Sequence, residues 1–130
     1  MENQPTIQFT NQLTIRQVAA LTQLSVHTLR YYERVGLLDP VSRASSGHRR
    51  YAQSDIAWLE FLTRLRATGM PIRQMQQFAE LRRQGSKTVH ERRQLLEVHQ
   101  QQVKTQLEEL SRNLLVIESK IRHYEAIETN

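Results

Sequence analysis

Two arginine-bearing clusters carry most of the chain's potential chemistry. The first is Ser25-Val26-His27-Thr28-Leu29-Arg30-Tyr31-Tyr32. On a helix, its outward side would present His27, Thr28, Arg30 and Tyr31. A guanidinium forks onto guanine or grips a phosphate, a threonine hydroxyl bonds a base edge, and a tyrosine hydroxyl reaches a backbone oxygen. The second cluster, Gly47-His48-Arg49-Arg50-Tyr51, combines a small turn residue with two guanidiniums that can press on a phosphate backbone. The 130 residues carry a net charge of +5, and residues 1–85, with 11 Arg, no Lys and 6 acidic residues, hold all of that excess. Residues 86–130 balance 7 basic against 7 acidic side chains. An arginine-rich front part suits phosphate binding, although charge alone fits a solvated basic surface equally well.

Other chemistries find little support. Cysteine is absent, which removes disulfides and thiol chemistry and leaves any metal to histidine and carboxylate. His90 and His99 are nine residues apart and miss the four-residue spacing that lets two histidines share an ion on one helix face; they and His123 are read as solvated. No paired-carboxylate, Ser/His/Asp or Gly-rich phosphate loop arrangement stands out, so no enzyme, no metal and no cofactor is expected. No apolar run approaches a membrane span, and the start, MENQPTIQFTNQ, lacks the basic and apolar parts of a signal peptide. A cytoplasmic protein without membrane contact is the expectation.

The elements that must hold these clusters are mostly helices. Thr14 and Gln17 form a capping-box pattern that opens a first helix with Ile15, Val18, Ala19 and Leu21 or Thr22 at helical spacing. Ser25 is an N-cap for a second helix, with Val26, Leu29, Tyr32 and Val35 on its buried side and Gly36 closing it. Leu37-Leu38-Asp39-Pro40 is expected to leave in extended form. Residues 41–51, VSRASSGHRRY, set a turn-rich centre between two short arms, a hairpin signal. Ser54-Asp55 would cap a third helix carrying Ile56, Trp58, Leu59, Phe61, Leu62 and Leu65, with the two aromatics and Leu65 in the core. Pro71 fits the first position of a fourth, which carries Ile72, Met75, Phe78, Ala79 and Leu81.

Thr88-Val89-His90-Glu91 repeats the capping-box pattern, and no Gly or Pro follows it up to Ile127. Leu96, Val103, Leu110, Ile117 and Tyr124 recur every seven residues. Leu107, Leu114 and Ile121 recur in a second register. Alternating gaps of three and four over several heptads define a coiled-coil seam, with Gln100 as one polar intruder and Glu108-Glu109 as a solvated flank. About 39 residues make a rod of roughly 58 Å. Its seam requires a partner, in an orientation that periodicity leaves open.

Two short helices separated by Gln23-Leu24-Ser25 and followed by a hairpin make a winged helix-turn-helix, whose second helix enters the major groove. The strings TIRQVAALTQLSVHTLRYYERVGLL, SGHRRY and WLEFLTRLRATGMPI resemble the DNA-binding domain of the mercury-resistance-regulator (MerR) family over about residues 13–81. The resemblance implies DNA contacts by Arg30, Tyr31 and Tyr32 and, in the wing, by Arg49 and Tyr51. It also implies an antiparallel tail pairing and a promoter whose over-long spacer is bent and untwisted. The cysteine-free tail resembles the small branch that responds to aldehydes or nitrosative stress. Thr63 and Arg64 stand near where that branch commonly carries a cysteine, so thiol sensing is excluded. Gln23 occupies a turn position usually held by Gly.

The expected architecture is therefore all-α with a small two-stranded wing: a winged helix-turn-helix head plus a long C-terminal coiled-coil dimerisation helix. It divides into an N-terminal tail (1–12), the head (13–81), a linker (82–88) and the coiled coil (89–127). The candidate DNA-facing set is Arg16, Ser25, His27, Thr28, Arg30, Tyr31, Tyr32, Arg43, Arg49, Arg50 and Tyr51. Tyr32 has a core role as its alternative, and Arg30 a local pairing with Glu33 or Glu60. The expected partners are double-stranded promoter DNA, a second copy of the chain, and RNA polymerase indirectly through the promoter. A coiled-coil interaction protein, or a heterodimerising antirepressor that has lost DNA binding, is the competing expectation. About 45 residues after the head are too few for a separate ligand-binding domain of ordinary size.

Overall fold

A computed structural model describes residues 13–39 and 51–130. The chain divides into two compact units between Val89 and His90. In the first, α1 (Ile15–Thr22) and α2 (Val26–Arg34) are followed by α3 (Gln53–Ala67) and α4 (Ile72–Arg83). A short 3-10 turn, Gly85–Thr88, leads into α5 (Val89–Glu128). The expected hairpin over 41–51 lies, except for Tyr51, outside the described residues. Among those residues there is no strand, only an isolated antiparallel bridge between Leu13 and Tyr51, with N–H to carbonyl distances of 3.0 and 2.7 Å.

α1 begins with both halves of a capping box: the Thr14 hydroxyl accepts the Gln17 N–H at 3.2 Å, and the Gln17 side chain accepts the Thr14 N–H at 2.8 Å. Val18 is its buried residue, while Leu21 faces solvent and Thr22 turns partly inward. α1 ends at Gln23, which is left-handed at φ 62° and whose N–H still reaches the Ala19 carbonyl at 2.8 Å. This is the conformation that favours glycine, held here by a residue with a Cβ.

Gly36 and Gly69 close α2 and α3 in the same way. Beyond α2, the Gly36 N–H bonds Glu33 and the Leu37 N–H bonds Tyr32; beyond α3, Gly69 bonds Arg66 and Met70 bonds Leu65. Each is a Schellman turn, with φ of 87° at Gly36 and 96° at Gly69. Leu37 and Leu38 consequently turn back on α2, both N–H groups meeting the Tyr32 carbonyl, and do not leave extended as the following proline suggested.

The remaining helix starts shift slightly from expectation. α3 starts earlier than Ser54: Ala52 is its N-cap residue, and Asp55 accepts the Ala52 N–H at 2.9 Å. Pro71 is the N-cap of α4 and not its first helical residue. Arg82 and Arg83, read as linker, are the last turn of α4. The Thr88 hydroxyl donates back to the carbonyls of Leu81 and Gly85, and the 3-10 turn that holds it already enters α5 in helical conformation.

α1 packs on α2 and α3, and α3 on α4. The core of the first unit joins Val18, Leu29, Leu37, Leu38, Leu59 and Leu62 to Met70 and Met75. An aromatic cluster closes the α3–α4 side: Trp58 stacks on Phe78 at 5.9 Å, and Phe61 tilts against Phe78 at 5.7 Å. The Arg82 guanidinium lies 4.2 Å from the Trp58 ring centre. In the second unit, α5 is 40 residues long, about 60 Å at 1.5 Å per residue. Along it, Leu96 and Val103 are half-buried, whereas Leu107, Leu110, Leu114, Ile117, Ile121 and Tyr124 are 51–66% exposed.

Candidate nucleic-acid interface

The site is the outward side of α2, and it exists because Ser25 starts the helix cleanly. The Ser25 hydroxyl accepts the Thr28 N–H at 3.0 Å and donates to the Thr28 hydroxyl at 2.9 Å. Leu29 and Tyr32 are then buried, and the positions between them face out. His27, Arg30 and Arg34 are exposed and Thr28 and Tyr31 half-buried, so His27, Arg30, Tyr31 and Arg34 share one helical stripe. Among the described residues no ion pair involves Arg30, so neither of the local pairings weighed from sequence is present. Arg34, absent from the expected set, lies 5.6 Å from the centre of the Tyr31 ring. Its spacing from Arg30 and Tyr31, four and three residues, was the signal that would have found it.

Two tyrosines of the candidate set belong to the core. Tyr32 is 6% exposed and Tyr51 fully buried. Burial pushes the Tyr32 phenol above its ordinary value, opposed by the nearby Arg66 charge and reinforced by Tyr31. Arg16 is exposed in the first turn of α1. Arg43, Arg49 and Arg50 lie outside the described residues; among those described, the helix that carries Arg16 packs on α2.

The end of α2 is held from behind. Gln76 donates to the Val35 carbonyl at 2.8 Å, the Trp58 indole donates to the Leu37 carbonyl at 2.7 Å, and Arg83 donates to the Gly36 carbonyl. Arg83 also bonds Asp39, which raises its already high pKa, and Glu80 at 3.2 Å. Among the described residues no group of three histidines or carboxylates is placed to hold a metal, and no helix is long and apolar enough to cross a membrane.

Comparison with known proteins places this geometry. Residues 13–81 match the model of the MerR HTH family regulatory proteins, and residues 56–119 match the model described as MerR, DNA binding. An uncharacterized HTH-type transcriptional regulator of Haemophilus influenzae is 38% identical over 86% of this chain and 83% of its own length. The HTH-type transcriptional regulator AdhR of Bacillus subtilis is 43% identical over 65% of this chain and 60% of its own. Among solved structures, HiNmlR, described as a MerR family regulator lacking the sensor domain and bound to promoter DNA, superposes with a TM-score of 0.82 at 36% identity, covering 91% of this chain and 94% of that one. These families and relatives are transcription regulators and not enzymes. With a head that matches over its whole helical order and a neighbour alike from α1 into the long helix, the chain belongs to the MerR family of HTH regulatory proteins.

Proposed function

We propose that this regulator binds its promoter as a homodimer, two α2 helices entering successive major-groove faces of one duplex while the α5 seams pair antiparallel. The observation that carries this reading is the stripe of His27, Arg30, Tyr31 and Arg34, exposed on a helix whose opposite side is core. Arg30 and Arg34 supply guanine or phosphate contacts, and Thr28 and His27 lie nearest the helix start, where recognition helices meet base edges. Arg16, the capping Ser25, Arg43, Arg49 and Arg50 add backbone contacts on either side. Tyr31 reaches phosphate, and Tyr32 and Tyr51 act from the core, setting the helix and the start of α3 at the right height. The exposed leucines and isoleucines of α5 supply the second half of the argument, since such a seam is stable when paired.

The DNA-bound structure of HiNmlR supports a promoter as the target. Bending and untwisting of a long spacer, with polymerase as an indirect partner, follows the resemblance and draws on DNA deformability. The regulator works in the cytoplasm, where the promoter is. The test is binding to the fragment upstream of its own coding sequence against random duplex, measured across salt. Affinity should fall steeply with salt, and Arg30→Ala should weaken it while Glu108→Ala does not. A flat salt response, or no preference for the promoter, refutes the reading.

A further inference from the structure

Carbonyls 35, 36 and 37, directly beyond the last turn of α2, each accept a bond from a side chain remote in sequence: Gln76, Arg83 and Trp58. The carbonyls that close a helix are ordinarily satisfied by a cap or by water. Here the Schellman turn already satisfies the carbonyls of Tyr32 and Glu33 through backbone N–H groups. The three side-chain bonds are therefore an addition to the cap and not a substitute for it. Gln76 and Arg83 are two turns apart on α4, which puts them on one face, and Arg83 spans Gly36, Asp39 and Glu80 together. A planar fork can do that; a point-like ammonium cannot.

We infer that Gln76 and Arg83 are positioning residues for DNA recognition: they lash the C-terminal end of α2 to α4 and so fix the tilt at which the His27–Arg30–Arg34 stripe meets the groove. This rests on the proposed promoter binding. None of the three side chains has to touch DNA. Tilt matters to base contacts, which need fixed angles, and much less to non-specific association, which is electrostatic.

The test compares Gln76→Leu and Arg83→Lys with the unaltered protein, confirmed as folded and of equal oligomeric state. Neither change alters net charge. Promoter affinity should fall by up to about tenfold, the net worth of one intramolecular hydrogen bond, with affinity for random duplex and the salt slope unchanged. Amide exchange in free protein should quicken at Gly36, Leu37 and Leu38 while Thr28 and Leu29 at the other end of α2 stay protected. Equal loss on both duplexes, a slope reduced by about one, or wild-type discrimination with unchanged exchange overturns the inference. Should the unaltered protein not discriminate at all, the promoter reading fails instead, and the exchange data alone still decide whether these bonds hold the helix end.

Discussion

Replacing Gln23 with glycine should stabilise the protein, and the size of the gain follows from one backbone angle. Gln23 sits at φ 62°, ψ 18°, where a Cβ costs about 1–2 kcal/mol against the neighbouring carbonyl. Glycine removes that cost but brings extra freedom to the unfolded chain, an opposing effect of about 0.5–1 kcal/mol. Gln23 is exposed and its backbone N–H keeps its bond to Ala19, so no packing is lost on substitution. The net expectation is a gain of about 0.7 kcal/mol, within a span of about 0–1.5 kcal/mol. Urea unfolding at a fixed protein concentration should show a higher midpoint with an unchanged slope. Gln23→Ala, which keeps the Cβ, should stay near the original, and Gln23→Val should fall below it. A glycine variant with a midpoint at or under that of the starting protein would refute the strain argument.

Three further outcomes are expected. Ser25→Ala removes the acceptor for the Thr28 N–H and should cost about 1 kcal/mol in the same unfolding assay, whereas Ser25→Asp should restore most of it. Leu114→Asp puts a charge in the middle of the exposed α5 seam; sedimentation should then report monomers, and promoter affinity should drop by about a hundredfold or more as two linked contacts become one. Tyr32 is held neutral by burial, so its folded pKa lies above the unfolded one. Stability should be unaffected below an unfolded phenol pKa of about 10 and decline as pH rises beyond it, and Tyr32→Phe should flatten that part of the profile. An equally steep decline in the Phe variant would place the effect elsewhere.

Features that depend on neighbours within a turn were legible in the sequence. Thr14 with Gln17, Ser25 before α2, and Gly36 after it each act over one to four positions, and each is found where the residue types put it. The α5 rod was readable for the same reason: a seven-residue repeat needs only the helix's own geometry. Starts decided by competition were less so. Asp55 receives the N–H of Ala52 three residues back, which draws α3 earlier than a Ser54 cap would allow. The Thr88 hydroxyl also reaches carbonyls three and seven positions behind it, contacts that a capping-box pattern read forward does not announce. Adjacent tyrosines on a helix point about 100° apart, so only one of Tyr31 and Tyr32 can face out. The spacing of Leu29 and Tyr32 already favours the second as core, and it was the family resemblance, not the spacing, that set Tyr32 among the contacts. The bonds from Trp58, Gln76 and Arg83 to the end of α2 cross 21, 41 and 47 positions, a range at which no periodicity operates.

The open seam along α5 also bears on how such a regulator responds to its own abundance. Assembly through it is second order in polypeptide, so at scarcity the population of paired species grows as the square of the number of chains. Doubling synthesis then raises promoter occupancy nearly fourfold until pairing saturates, which turns a modest change in expression into a sharp one without any small-molecule signal.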